Sequence, residues 1–207
     1  MAGLVAAREL ARAGADVIVV DKGQGVGGRM ATRRVGAATF DHGAQFITVR
    51  SERFALLMRE LEDADAAALW FTGSPTTRES SGHPRYRGTP GMTGIPKYLA
   101  SSADVRLGVT VGSAERERDR WIILADAGRS YQSKWLVLTA PIPQSLTILG
   151  SSTAQMDPAA AEALRSVTYE PCLAILLRTQ GHVESTPHGV VDVRDTAVYW
   201  AADNHRK

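Results

Sequence analysis

The first two dozen residues constrain the chain most. Leu4, Val5, Ala7, Leu10 and Ala11 lie near one stripe at helical spacing, with Arg8, Glu9 and Arg12 on the opposite side and Gly14 as a stop. Val17-Ile18-Val19-Val20 follows as a β-branched run, ending in Asp21 and a glycine-rich turn. This is the pattern of a strand buried on both faces of a parallel sheet. A helix feeding such a strand is the latter part of a βαβ unit, whose first strand would have to precede Met1. Without that neighbour the strand exposes an apolar edge, so the chain is expected to be a piece of a longer gene product.

In dinucleotide-binding βαβ units a carboxylate at the tip of the second strand accepts hydrogen bonds from a ribose, about 20 residues after the glycine turn. Asp21 stands 18 residues beyond Gly3. The same aspartate also fits a plain loop cap after any buried strand. A second cluster, Gly25-Val26-Gly27-Gly28-Arg29, lets a backbone approach a phosphate closely and offers a planar guanidinium to it. Alone it reads sooner as a surface loop with a solvated arginine. Next to a ribose-binding strand the phosphate reading gains, because a diphosphate carries its charge close to the ribose.

The rest of the chain alternates elements. The segment GQGVGGRMATRR reads as a loop and ATFDHGAQFITV as short strands around a His-Gly turn. Helical periodicity returns over 52–69, loops and short strands fill 72–94, and a short helix near Pro96 lies within 92–100. Strands are expected at 105–107, 109–114, 121–125 and 135–139, with the charged ERERDR stretch as one hairpin turn and Asp126-Ala127-Gly128 as another. Helices follow Pro143 and span 158–167, and strands are expected at 172–177, 189–193 and 197–202.

Composition excludes several classes. Lys and Arg number 24 against 22 Asp and Glu, a net charge of +2 that argues against charge-driven nucleic-acid binding. Cys172 is the only cysteine, so no internal disulfide forms and a reducing, cytoplasmic compartment is expected. No His/Cys cluster has metal-ligand spacing, the N-terminal residues do not form a signal peptide, and no apolar run is long enough to span a membrane.

The run MAGLVAARELARAGADVIVVDKGQGVGGRMATRR followed by TFDHGAQFIT resembles the FAD-dependent oxidoreductases of the amine oxidase superfamily, most closely the renalase-like branch. GMTGIPKYLA, WLVLTAPIPQSLTIL, VTYEPCLAILLRT and YWAADNHRK resemble the same branch in the same order. The resemblance implies an α/β fold in which an FAD-binding Rossmann-like domain (1–50 and 100–150) is interleaved with a mixed β-sheet substrate domain (51–99 and 151–207). The first strand, the first two fingerprint glycines and a C-terminal Gly-Asp segment are missing from this sequence, which puts its FAD affinity in doubt.

Position by position, the resemblance makes Gly3 the third fingerprint glycine, which packs helix on sheet, and Asp21, with Lys22 beside it, the ribose carboxylate. Gly27, Gly28 and Arg29 match the turn against the FAD diphosphate, and Ala44, Gln45 and Phe46 the segment beside the isoalloxazine. Val111 falls where a strand backbone meets the adenine, and Ala140 and Pro141 where the chain returns to the cofactor. The implied activity is hydride transfer from a reduced small molecule to flavin and on to dioxygen, the substrate being an isomeric dihydro-NAD(P) in the renalase-like branch or an amine in the wider superfamily. A non-catalytic fragment and a flavin-free NAD(P)-binding reductase are the alternatives.

No side chain is assigned a catalytic role, since hydride transfer to flavin requires no protein base. His42 suits a turn next to Gly43, Trp70 and Phe71 suit a core, and Cys172 is expected to be a buried small residue. Tyr199, Trp200 and Lys207 lie on the segment placed to reach a substrate, or in a core on alternating strand positions.

Overall fold

A computed structural model describes residues 1–73, 82–181, 183–191, 193 and 197–207. In chain order its elements are α1 (Ala2–Arg12), β1 (Ile18–Asp21), β2 (Thr32–Val35), β3 (Ala38–Asp41), β4 (Ile47–Thr48), α2 (Glu52–Asp63), β5 (Ala67–Thr72), β6 (Pro84–Gly88), α3 (Gly94–Ala100) and β7 (Asp104–Leu107). There follow β8 (Val111–Glu117), β9 (Arg120–Ala125), β10 (Ser130–Ser133), α4 (Ile142–Leu149), α5 (Pro158–Arg165), β11 (Val190–Val191) and β12 (Ala201–Ala202). Short 3-10 segments occupy Gly28–Met30, Asp126–Gly128 and Gly150–Gln155. The result is a mixed α/β fold with several sheets, divided into two compact units.

The first unit comprises Met1–Gly25 and Ser102–Cys172. In it α1 buries Leu4 and Ala7, and β1 pairs in parallel with β7 from Ile18↔Asp104 to Asp21↔Leu107. Ile18 remains 47% exposed, so β1 is not buried on both faces as its apolar run suggested; β7 is its one partner among the described residues. Strands β8, β9 and β10 form an antiparallel meander. Its first turn is only Arg118-Asp119, with Glu117 paired to Arg120, so most of the ERERDR stretch is strand rather than turn. Arg118 adopts φ 52° there, the left-handed geometry a two-residue hairpin requires. The polar β10 had no signal in the sequence, and it forms because Ser130–Ser133 finds a ladder partner in Leu124–Trp121. Pro143 and Pro158 sit in the first turns of α4 and α5, as their fixed φ favours.

The second unit comprises Val26–Ser101 and Leu173–Lys207. Ser51 caps α2 by accepting the Phe54 N–H at 3.3 Å, and Met58 and Leu61 are fully buried. The helix stops at Asp63 rather than running to 69; Asp65 turns left-handed (φ 53°), and Ala67–Thr72 becomes β5 in a sheet of order β4-β6-β5. Apolar residues at 69–71 fit both periods, and pairing with β6 selects the strand. The loop expected over GQGVGGRMATRR contains a 3-10 turn at Gly28–Met30 and strand β2, which forms a hairpin with β3. Trp70, Phe71 and Val190 are buried with Phe46, Trp200 and Ala202 packed against them, so Trp70 and Phe71 are core.

Two expected strands do not form. Residues 135–139 and 172–177 join no sheet among the described residues, and Trp135, Leu173, Ile175 and Leu177 are exposed. β-Propensity describes a fit to a half-buried pleat and supplies no partner. Cys172 is exposed with them, not buried. Near the end of the chain, only Val190–Val191 and Ala201–Ala202 are strand among the described residues, and Tyr199 is fully exposed. Of the expected strand at 189–193, residue 192 lies outside the described residues, as do 74–81 of the expected loop region.

Candidate functional site

In the first unit the tip of β1 is shaped by Asp21. Its Oδ1 accepts the Gly23 N–H at 2.7 Å, and its carbonyl accepts the Val109 N–H at 3.0 Å. The Gly23 carbonyl accepts the Gly108 N–H at 2.9 Å. These bonds bring Asp21 to the loop that opens β8 at Val111, while Lys22 is exposed beside it. At the start of α1, a Cβ on Gly3 would lie 2.8 Å from Thr139 Oγ1. A side chain there would force the Thr139 hydroxyl to turn aside, and this close approach places Gly3 against the segment Thr139-Ala140-Pro141. Pro141 is the N-cap residue of α4, and the Ala140 carbonyl accepts Ser145 Oγ–H at 3.1 Å.

In the second unit the glycine turn and the DHGAQF turn meet. Gly27 and Gly28 take φ 130° and 52°, which carry the backbone into the 3-10 turn holding Arg29. The Arg29 carbonyl accepts the Ala44 N–H at 2.8 Å, and a Cβ on Gly43 would lie 2.0 Å from that same oxygen. Gly43 is therefore the residue that lets the two turns touch. Around Gly28 a Cβ would meet nothing within 4 Å, so its backbone faces open space. His42 is exposed at this turn, and Gln45 Nε2–H donates to the Asp41 and Gly43 carbonyls.

The same turn leads into an aromatic cluster. Phe46 lies 5.6 Å from Trp200 and 6.2 Å from both Trp70 and Phe71, ring centre to ring centre, and the Arg85 guanidinium stacks 4.7 Å over Phe46. Trp70 Nε1–H donates to the His188 carbonyl at 2.8 Å. Lys207 Nζ sits 5.1 Å over the Trp70 ring and 2.6 Å from Asp41 Oδ2. This buried ion pair had no signal in the sequence, because its partners stand at opposite ends of the second unit. Burial holds the Lys207 ammonium below its ordinary pKa, Asp41 offsets part of that, and nearby Arg87 adds to it. Among the described residues no group of His, Cys, Asp and Glu could hold a metal ion, and no helix is long and apolar enough to cross a membrane.

Solved structures identify the fold. The chain aligns with the CLA-producing fatty acid isomerase from P. acnes with a TM-score of 0.59 at 12% identity, over 79% of this chain and 61% of that one. It aligns with putrescine oxidase bound to putrescine with a TM-score of 0.53 at 13% identity, over 70% and 57%. The architecture is thus the fold of these two proteins. The model of the flavin containing amine oxidoreductases matches residues 1–67 and 54–207, and the chain belongs to that family. It is also 27% identical over 166 residues to renalase from Mus musculus, covering 75% of this chain and 48% of that protein. The chain spans about half the length of the curated relative it matches.

Proposed function

We propose that the complete protein is an FAD-dependent oxidoreductase that takes a hydride from a reduced small molecule, an isomeric dihydro-NAD(P) or an amine, with dioxygen as the final electron acceptor. The observation that carries this reading is the contact between the Arg29 carbonyl and the Ala44 N–H, which joins the glycine turn to the DHGAQF turn. The resemblance assigns one of these turns to the diphosphate and the other to the isoalloxazine, two ends of one cofactor. The open backbone at Gly28 and the left-handed Gly27-Gly28 pair also fit close approach by a phosphate.

When bound, FAD supplies the hydride acceptor and the route of electrons to dioxygen, with hydrogen peroxide as product. The chain's own residues bind and orient it. Asp21, its carboxylate oriented by Gly23, accepts ribose hydroxyls, with Lys22 beside it. Arg29 pairs with the diphosphate while Gly27 and Gly28 leave room for it. Ala44, Gln45 and Phe46 flank the isoalloxazine, Val111 meets the adenine, and Gly3, Ala140 and Pro141 pack where the chain returns to the cofactor. Residues 1–50 and 100–150 form the cofactor region, and 51–99 with 151–207 the substrate region, in a cytoplasmic protein.

Titration of the purified chain with FAD and with NADH, followed by fluorescence, tests this. FAD should bind the more tightly, and Asp21→Ala and Arg29→Ala should each weaken it by about tenfold or more, the scale of one lost charge-assisted hydrogen bond. Tighter binding of NADH would favour a flavin-free reductase, and binding of neither would favour a non-catalytic fragment.

A further inference from the structure

We propose that Lys207 is a positioning residue whose buried ammonium, held between Asp41 and the Trp70 ring, fixes the shape of the Asp41–Phe46 turn. The role serves the turn that the proposed function sets beside the isoalloxazine, and it rests on that reading for its purpose; its geometry stands independently.

Asp41 is the hub. Its Oδ1 accepts Thr32 Oγ1–H at 2.6 Å and the Met92 N–H at 2.9 Å, and its Oδ2 takes Lys207 Nζ at 2.6 Å. Its backbone N–H donates to Asn204 Oδ1 at 3.4 Å, and its carbonyl accepts from Gln45 Nε2. One residue thus ties together β2, the approach to α3, the turn and the segment 203–207. The side chains of Lys207 and Asp41 are 4% and 2% exposed. Of the carboxylate's three donors among the described residues only Lys207 carries charge, and a buried carboxylate without a charged partner is strongly unfavourable.

Lys207 reaches this place through its own local structure. The Asp203 N–H donates to the Gly189 carbonyl at 2.6 Å, and the Asp203 carbonyl accepts the Arg206 and Lys207 N–H groups at 3.2 Å each. This turn follows directly from β12, which pairs with β11. The position of Lys207 is therefore set by a sheet and a hydrogen-bonded turn, and the ammonium conveys that position to Asp41.

Amide hydrogen exchange on the folded chain tests the proposal without any cofactor. In Lys207→Met, exchange at residues 42–46 should quicken by about tenfold or more while the α2 amides keep their protection, because local opening is separable from global unfolding. Lys207→Arg, which keeps the charge, should restore most of the protection. Unchanged exchange at 42–46, or equal acceleration throughout the unit, would overturn the proposal. If Lys207→Met does not fold, the double variant Asp41→Asn/Lys207→Met buries no charge and takes its place; protection of 42–46 equal to wild type would then overturn the role. Where wild type binds FAD, Lys207→Met should also alter the visible absorption band of the bound flavin. A wild type that binds no FAD counts against cofactor binding by this chain alone, and the exchange result still judges Lys207.

Discussion

At the scale of single residues, Gly43, matched by Gly94, is as tightly constrained as any glycine among the described residues. Its missing side chain leaves room for the Arg29 carbonyl, and that neighbour is backbone, which cannot swing aside. Gly43→Ala should lower stability by about 3 kcal/mol, the upper range for overpacking. Gly25→Ala, where a Cβ meets nothing within 4 Å, should stay within about 0.5 kcal/mol of wild type. Paired urea melts of the two variants check this, and equal midpoints would remove Gly43 from its role. Lys207 gives a second prediction. Its ammonium releases its proton at lower pH in the folded chain than in the unfolded one, chiefly through burial. Between that lowered value and the ordinary 10.5, the unfolded state binds more protons, so the contribution of Lys207 to stability rises with pH across this window. The stability difference between wild type and Lys207→Met should therefore grow as pH rises toward 10.5; a difference independent of pH in the alkaline range would contradict the inferred direction.

At the scale of elements, helix α2 depends on its cap. Ser51→Ala removes the acceptor for the Phe54 N–H and should cost about 1 kcal/mol in a thermal melt; an unchanged Tm would mean that water replaces the cap fully. Elements with local signals were legible in the sequence: α1 from its stripe and Gly14, α4 and α5 from their N-terminal prolines, and β7 to β9 from their apolar runs. What failed needed knowledge of a partner. The first half of β5 continues the helical period of α2, β10 is too polar to register, and the runs at 135–139 and 172–177 have strand composition without a described ladder. The site divides in the same way. Asp21, the glycine turn and DHGAQF stand out as local motifs, whereas Asp41–Lys207 joins residues 166 apart, and neither signals the other.

At the scale of the whole molecule, Leu173, Ile175 and Leu177 expose 94%, 78% and 72% of their surfaces at alternate positions. Such a strip invites self-association. The triple replacement Leu173→Ser, Ile175→Ser and Leu177→Ser should reduce light scattering at high protein concentration; equal scattering would show that the strip does not drive it. The parallel pairing of β1 with β7 has a consequence for how the chain acquires its structure. Ile18 meets Asp104 only after the chain has passed through all of Val26–Ser101, most of the second unit. Closing so long a loop costs entropy before any ladder bond repays it, whereas the β2–β3 and β8–β9 hairpins close over a few residues. The β1–β7 ladder should thus be among the last features to form, so that substitutions in it speed unfolding and leave the folding rate nearly untouched. Under the proposed function, the strand assigned to the ribose would be completed only after the turns assigned to the other end of the cofactor were in place.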